Sequence, residues 1–270
     1  MKRAIGVIDS GVGGLTVAYE LMRQLPKEEL IYVGDTLRCP YGPRPEHEVK
    51  QFTKEMIQFL MKKNIKMIVI ACNTATAFAL EELKETLPIP IIGVIQPGAR
   101  AAIKSTINKQ IGIIGTEGTI RSNAYPEALA QINTELNVTG LACPLFVPMV
   151  EKGILHGKQA EEVIKETLHP LQATQNIDTL VLGCTHYPLL EDTIQQVMGE
   201  DVNIISSSEE TARETSTILE MNDLLYRGKR EPTHHFYATG DLDLFKKIAG
   251  GIFLENIPQI HQAHFEKIAL

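Results

Sequence analysis

Two cysteines occupy matching positions in this 270-residue chain, and two thiols so placed can move protons. Residues 66–76 are Lys-Met-Ile-Val-Ile-Ala-Cys-Asn-Thr-Ala-Thr, and residues 178–190 are Asp-Thr-Leu-Val-Leu-Gly-Cys-Thr-His-Tyr-Pro-Leu-Leu. In each segment an apolar run typical of a buried strand ends in a small residue and a cysteine, Cys72 or Cys184. Open α/β sheets carry their chemistry at such strand ends. The two thiols are therefore candidate catalytic groups.

A cysteine reacts or exchanges protons as its thiolate, which is scarce at neutral pH because the ordinary thiol pKa is about 8.5. Both cysteines precede a predicted helix start, where the helix dipole and free N–H groups favour the anion. Asp9 near Cys72, and Glu151 and His186 near Cys184, are candidate acceptors of the thiol protons. A thiol on each side of an α-amino acid could remove the α-proton from one face and return one to the other. Such an exchange inverts the stereocentre.

Removing an α-proton leaves a carbanion that needs hydrogen-bond donors at the substrate carboxylate. The polar residues at predicted strand ends and helix starts that could donate are Ser10, Asn73, Thr74, Thr116, Thr119 and Thr185. The loop 35–45 contains three prolines in its last six residues, so we expect either a stiff pocket wall or a rigid surface turn. We see no cofactor motif, and no lysine in a setting that argues for pyridoxal phosphate.

Several other interpretations of these residues stay open. Buried free cysteines are common and usually inert, and we expect Cys39 and Cys143 to be structural because they lack the shared context. His186 could form a Cys-x-His metal pair with Cys184, but a structural zinc site needs four ligands and no second pair is evident, so we predict no metal. A cysteine hydrolase would use one nucleophile with its own base and leave the second cysteine unexplained.

Composition excludes several classes of protein. The net charge is −7 and no stretch is rich in lysine or arginine, so we expect no nucleic-acid partner. The chain has no apolar run long enough for a membrane helix, and its first apolar stretch ends at Asp9, too early for a signal peptide. Its four cysteines form no Cys-x-x-Cys pair. We expect a cytoplasmic protein with reduced thiols and no membrane association.

The chain also contains a weak internal repeat. Residues 4–11 resemble residues 110–118 at a separation of about 106, close to the 112 positions between the two cysteines. Strands alternate with helices in both halves, which predicts an α/β fold with the cysteines facing a shared cleft. The glycine loop after the first strand lacks the third glycine of the dinucleotide fingerprint, but its backbone could approach a ligand closely.

We predict two domains, residues 1–97 plus 208–270 and residues 98–207, with the crossover at Pro97-Gly98. Helices are expected near residues 99–106, 119–132 and 189–198. The C-terminal stretch from His234 should return to the first domain, with Asp241 capping its last helix.

Four segments resemble the signature blocks of the bacterial glutamate racemases, in the aspartate/glutamate racemase family. They are Asp-Ser-Gly-Val-Gly-Gly-Leu-Thr-Val at 9–17, Gly-Asp-Thr-Leu-Arg-Cys-Pro-Tyr-Gly-Pro-Arg at 34–44, Ala-Cys-Asn-Thr-Ala-Thr at 71–76 and Gly-Cys-Thr-His-Tyr-Pro-Leu-Leu at 183–190. The resemblance spans nearly the whole chain. It implies two flavodoxin-like domains with parallel sheets flanked by helices, related by a pseudo-two-fold axis, with the active site between them. It also implies cofactor-independent interconversion of L- and D-glutamate, supplying D-glutamate for peptidoglycan.

The resemblance further implies roles for individual residues. Cys72 would be the acid/base for the D-isomer and Cys184 for the L-isomer, assisted by Asp9, Glu151 and His186. With the donors above, the expected substrate-binding set is Asp9, Ser10, Pro40, Tyr41, Gly42, Cys72, Asn73, Thr74, Thr116, Thr119, Cys184, Thr185 and His186. Leu37 departs from the smaller residue more usual in the family. A homodimer is expected.

Two other functions fit part of the pattern. Aspartate or hydantoin racemases of the same group usually carry a carboxylate after the second Cys-Thr pair, whereas His186 follows it here and favours glutamate. A non-catalytic amino-acid-binding or regulatory module is the alternative outside enzymes, since some family members are reported to inhibit DNA gyrase. The acidic balance would make that an effect of protein contact.

Overall fold

A computed structural model describes residues 3–174, 176–254 and 258–265. Over these residues the chain forms ten strands, eleven α-helices and a short 3-10 helix at Tyr187–Leu190. The strands are β1 (Ala4–Asp9), β2 (Leu30–Gly34), β3 (Ile65–Ile70), β4 (Ile91–Gly93), β5 (Gln110–Gly115), β6 (Asn137–Ala142), β7 (Thr179–Gly183), β8 (Asn203–Ser206), β9 (His235–Ala238) and β10 (Gln259–Gln262). The helices are α1 (Leu15–Gln24), α2 (Glu46–Met61), α3 (Asn73–Thr86), α4 (Ile95–Ser105), α5 (Glu117–Arg121), α6 (Ala124–Ala130), α7 (Phe146–Glu151), α8 (Lys158–Thr174), α9 (Glu191–Met198), α10 (Ser208–Met221) and α11 (Leu242–Phe253).

The strands form two parallel sheets with the same core order. Among the described residues one sheet runs β10-β9-β2-β1-β3-β4 and the other β6-β5-β7-β8. The segment β2-β1-β3-β4 thus matches β6-β5-β7-β8, and this is the start of the flavodoxin-like order. Cys72 follows β3 and Cys184 follows β7, the equivalent strand. The predicted α/β fold with two similar halves is confirmed.

Each sheet is covered by helices on both faces, which explains the continuous apolar runs of its central strands. Every residue of β1, β3 and β7 is buried, whereas β6, at an edge, is exposed at Asn137 and Gly140. Alternate side chains of the first sheet contribute to different cores: Val7 packs on one face and Ile8 on the other. Because both faces are buried, a shift of one residue would exchange their side chains, so the register of the strands is fixed.

The C-terminal stretch joins the first sheet, where β9 pairs with β2 and β10 with β9. The side chain of Asp241 accepts hydrogen bonds from the backbone N–H groups of Asp243 and Leu244, which confirms the predicted N-cap of α11. Helix α10 packs on α1, whereas α4 packs on α6, β7 and β8. We propose the ranges 1–97 plus 208–270 and 98–207 as the two domains, with one boundary inside α4, which also contacts α10.

Three helix predictions were wrong in their bounds. Helix α4 begins at Ile95, so Pro97-Gly98 lies in its first turn, where proline costs no intrahelical hydrogen bond. The helix expected over residues 119–132 is divided into α5 and α6 because Asn123 takes a left-handed conformation, with φ of 59°. The helix expected from residue 189 begins as the 3-10 turn and continues as α9. None of the described helices has the length and apolar character needed to span a membrane.

Candidate active site

Cys72 lies at the end of β3 and is the N-cap residue of α3. Its Sγ accepts a hydrogen bond from the backbone N–H of Ala75 at 3.4 Å and donates to Ser10 Oγ at 3.5 Å. Burial raises the pKa of this thiol to about 12, and the nearby charge of Asp9 adds to the shift. The helix-start effect expected from the sequence is present but weaker than desolvation. Burial thus favours the neutral thiol of Cys72 over the thiolate.

Cys184 follows β7 and is buried at the equivalent position of the second sheet. Its Sγ lies 3.8 Å from Nδ1 of His186, the N-cap residue of the 3-10 turn that follows. Cys184 thus has an imidazole partner, whereas Cys72 has the hydroxyl of Ser10.

His186 and Glu151 form a hydrogen-bonded pair behind Cys184. Glu151 ends the short helix α7 and its Oε1 lies 2.7 Å from His186 Nε2, while the Val12 backbone N–H donates to the same oxygen at 3.3 Å. Burial alone would lower the pKa of His186, but its contacts with Cys184, Cys39 and Glu151 outweigh it and hold that pKa well above the ordinary value. Burial by itself would raise the pKa of Glu151. The hydrogen bond and positive charge of His186 outweigh burial, so the pKa of Glu151 is lowered. The pair is an imidazolium and a carboxylate.

Asp9 lies beneath the site at the end of β1 and is completely buried. Its carboxylate accepts from the Gly11 backbone N–H at 2.9 Å and from Thr185 Oγ1 at 3.1 Å, which links the two sheets. Burial raises the pKa of Asp9 despite the opposing charge of His186.

A small cavity lies between the carboxyl ends of the two sheets, with about 250 Å³ of space between atoms when its opening to solvent is included. Its lining residues are Ser10, Pro40, Tyr41, Gly42, Cys72, Asn73, Thr74, Thr116, Val147, Cys184, Thr185 and His186. The structure thus brings together all the expected substrate contacts except Asp9 and Thr119. Both cysteines line the same cavity, and their assigned roles stay predictions.

Thr119 supports the cavity wall from behind. Its hydroxyl lies 3.1 Å from those of Thr74 and Thr116, which are 2.8 Å from each other. This triangle joins α3 of the first sheet to the start of α5 in the second. The loop 35–45 adjoins this triangle, because the backbone carbonyl of Gly42 accepts from the Gly118 N–H at 2.9 Å and a Cβ atom on Gly42 would clash with Thr116 Cβ.

The glycine loop after β1 approaches the second half of the molecule rather than an open ligand site. A Cβ atom on Gly13 would lie 2.5 Å from His186 Nδ1 and 2.5 Å from Thr185 Oγ1. The absence of a side chain therefore allows His186 to pack against this loop while it faces Cys184.

Sequence reasoning missed three residues at the site. Val147 lines the cavity from α7, and Tyr125 donates from its hydroxyl to Asn73 Oδ1 at 2.7 Å. Cys39, expected to be structural, places its thiol 3.6 Å from Glu151 Oε1. The sequence did contain one indication of this position, because Cys39 directly precedes Pro40, a residue expected to contact the substrate. Among the described residues, the donor atoms of Cys39, Glu151 and His186 form a group that could hold a metal ion.

The Asp/Glu/Hydantoin racemase family model matches residues 5–215. The chain belongs to this family. A glutamate racemase from Oceanobacillus iheyensis is 62% identical over 270 residues, covering 100% of this chain and 96% of the relative. This chain is therefore a racemase, which is a kind of isomerase, as the sequence predicted.

Solved structures of glutamate racemases resemble this racemase over nearly its whole length. Isoform RacE1 from Bacillus anthracis is 50% identical with a TM-score of 0.93, covering 98% of each chain. The enzyme from Francisella tularensis, solved in complex with D-glutamate, is 35% identical with a TM-score of 0.89, covering 97% of this chain and 98% of that one.

Proposed function

We propose that this racemase interconverts L- and D-glutamate by two-base proton transfer between Cys72 and Cys184, without a cofactor. The observation that carries the proposal is that both thiols line one cavity, each supplied by the equivalent strand of a different sheet. Two acid/base groups from opposite walls can reach opposite faces of one carbon.

In this mechanism the two thiols exchange roles. For D-glutamate, the Cys72 thiolate takes the α-proton while the Cys184 thiol donates its proton to the opposite face. The L-isomer leaves with Cys72 as the thiol and Cys184 as the thiolate, and the reverse reaction restores the first state. We assign His186, whose Nδ1 lies 3.8 Å from Cys184 Sγ, as the residue that assists proton transfer at Cys184. Asp9 is assigned the same role at Cys72, because the Cys72 thiol must lose its proton before Cys72 can act as a base.

Stabilisation of the carbanion is assigned to donors on the cavity wall. Asn73 Nδ2 is buried without a hydrogen-bond partner among the described residues, although Asn73 lines the cavity. Buried donors are rarely left unpaired, so an acceptor on a ligand accounts for it. The substrate carboxylate is such an acceptor, and it gains charge as the α-proton leaves.

Glutamate is favoured as substrate because the relatives of high identity are glutamate racemases and one neighbouring structure contains D-glutamate. His186 lies where aspartate racemases usually carry a carboxylate. A side-by-side assay of glutamate and aspartate separates the two, and faster turnover of aspartate would exclude this substrate assignment.

The test is incubation of the protein with L-glutamate in deuterium oxide without added cofactor. Optical activity should decay toward zero while deuterium replaces the α-proton of the product. If glutamate and aspartate are both inert and keep their α-protons, the binding-module alternative replaces the enzyme.

Cys72→Ser and Cys184→Ser identify the bases. One thiol removes the proton and the other returns one. Each variant should therefore racemise glutamate at least about 100-fold more slowly than the wild type in both directions. Loss confined to one variant would indicate a single-base mechanism.

We also propose a homodimer, a cytoplasmic location and a role in supplying D-glutamate for peptidoglycan. Sedimentation velocity tests the assembly. Growth of a D-glutamate-requiring bacterial strain that expresses the chain tests the supply role, with the Cys72→Ser variant as the inactive control.

A further inference from the structure

Three donor atoms of different chemistry converge behind the cavity wall. Cys39 Sγ, Glu151 Oε1 and His186 Nε2 all lie within 4.8 Å of one another. The Cys39–Glu151 separation is 3.6 Å and the His186–Glu151 separation is 2.7 Å. They lie on the Nε2 side of the imidazole, away from Cys184, which faces Nδ1.

We propose that Cys39, Glu151 and His186 form a binding site for Zn²⁺ and that the bound ion inhibits racemisation reversibly. Thiolate, imidazole and carboxylate are the three ligand types that zinc uses in proteins. Hard ions such as Mg²⁺ prefer sites made of oxygen ligands alone, so this donor set discriminates against them. Three protein ligands leave a fourth position for water, as in open zinc sites.

The site is nearly preorganised for such an ion. Zinc bonds of about 2.0–2.3 Å in a tetrahedron place the ligand atoms roughly 3.3–3.6 Å apart. The Cys39–Glu151 separation of 3.6 Å already fits, and the hydrogen-bonded His186–Glu151 separation of 2.7 Å needs to widen by less than about 1 Å. The thiol proton of Cys39 and the proton on His186 Nε2 leave as the ion enters.

Gly11 allows these atoms to converge. A Cβ atom on this residue would lie 2.6 Å from Glu151 Oε1, 3.0 Å from Cys39 Sγ and 3.3 Å from His186 Nε2. Any larger residue would push the donors apart. Cys39 is half-buried and the Glu151 side chain is 21% exposed, so two of the three ligand residues reach the molecular surface.

Inhibition follows from the position of His186 and rests on the proposed function. A zinc ion on Nε2 replaces the hydrogen bond between Nε2 and Glu151, and widening that 2.7 Å separation moves the ring that lies 3.8 Å from Cys184 Sγ. The imidazole is then displaced from the position in which it assists Cys184. Binding itself depends only on the three donors, so it can be tested apart from activity.

The binding test is equilibrium dialysis of the reduced, chelator-stripped protein against Zn²⁺, with Co²⁺ as an optical probe of thiolate ligation. We expect one ion per chain and a cobalt–thiolate absorption band in the wild type. The matched control is the Cys72→Ser, Cys184→Ser double variant, which should keep both signals because those thiols are not ligands. Cys39→Ser and, if that variant folds poorly, Cys39→Ala should bind at least about 100-fold more weakly, since even lost outer contacts cost 10–100-fold.

Undiminished binding by both Cys39 variants, or loss of binding in the double variant, would overturn the site because the ion would then belong to the catalytic thiols. The inhibition test is racemisation with increasing Zn²⁺, reversal by a chelator, and Mg²⁺ as the inert control. The half-inhibiting concentration should rise about 100-fold in Cys39→Ser when each variant is compared with its own metal-free rate. Binding without inhibition would refute the inhibitory role, and an inactive metal-free wild type would instead refute the proposed function.

Discussion

The hydrogen bond from Tyr125 to Asn73 sets the orientation of an amide at the cavity wall. The tyrosine hydroxyl donates to Oδ1 at 2.7 Å, so Nδ2 is the group left without a partner among the described residues. Because Tyr125 belongs to α6 and Asn73 to α3, the contact also crosses between the sheets. Tyr125 is therefore a positioning residue for the amide.

Tyr125→Phe removes this hydrogen bond while keeping the buried ring. We expect kcat/KM for glutamate to fall about 5- to 10-fold, since a hydrogen bond contributes roughly 1 kcal/mol, and kcat to fall with it because the amide contacts a group that gains charge in the transition state. Steady-state kinetics in both directions measures the effect. An unchanged kcat/KM would show that the amide orientation does not depend on Tyr125.

At the scale of elements, the loop 35–45 owes its shape to Asp35. The buried carboxylate accepts from Arg38 Nε and from Tyr41 Oη, both at 2.5 Å, and from Thr239 Oγ1 at 2.9 Å. One side chain thus anchors the loop that supplies the wall at residues 40–42 and ties it to the stretch after β9.

Asp35→Ala should destabilise the protein by about 3 kcal/mol, because it leaves Arg38 Nε and the Tyr41 hydroxyl without their acceptor, although Arg38 Nη1 keeps its bond to Glu55. Urea denaturation measures the change. Glu82→Gln is the control, since its partner Lys54 lies 2.5 Å away on the exposed surface and such pairs contribute under about 1 kcal/mol. Equal losses in the two variants would contradict the anchoring role.

His234, just before β9, makes the same strand region sensitive to acid. Its Nδ1 accepts from the backbone N–H of Leu30 at 3.3 Å, and burial lowers its pKa to about 4. Since the folded-state pKa is below the unfolded value of about 6.5, stability is full above pH 6.5 and is lost as the pH falls toward 4. The loss should be roughly 2 kcal/mol after allowance for the ring's partial exposure.

His234→Asn keeps an acceptor for Leu30 but does not titrate. Unfolding free energies measured from pH 7 to pH 4 should therefore fall less steeply in this variant than in the wild type. Parallel curves would show that His234 is not the group responsible.

At the scale of the whole molecule, the cavity lies between two sheets whose residues contact each other around it. Thr185 bonds to Asp9, Gly118 bonds to Gly42, and the side chains of Arg100 and Glu214 form a bidentate ion pair between α4 and α10. A ligand held between the two cysteines contacts both walls, so it should stabilise the halves together.

Glutamate should raise the unfolding free energy by about 2.7 kcal/mol at 100 times its dissociation constant. Amide hydrogen exchange should slow at residues 70–76 and 183–190 alike. The Cys72→Ser, Cys184→Ser variant allows each enantiomer to be tested without turnover. Protection limited to one segment would contradict binding between the sheets.

The sequence by itself determined the local elements and most of the cavity lining. Apolar runs, glycine turns and the repeated strand-cysteine pattern are local signals, and they located β3, β7, both thiols and the neighbouring hydroxyl and amide groups. It also indicated Asp241 as a cap, because capping depends on residues a few positions away.

Only the tertiary structure decided which distant side chains meet. The contacts of Cys39 with Glu151 and of Tyr125 with Asn73 join residues 112 and 52 positions apart, and no periodicity reports such pairs. It also decided that burial outweighs the helix start at Cys72, since desolvation depends on every group packed around a thiol. Strand ends can be read from neighbours in the sequence, whereas distances, burial and ionisation depend on packing.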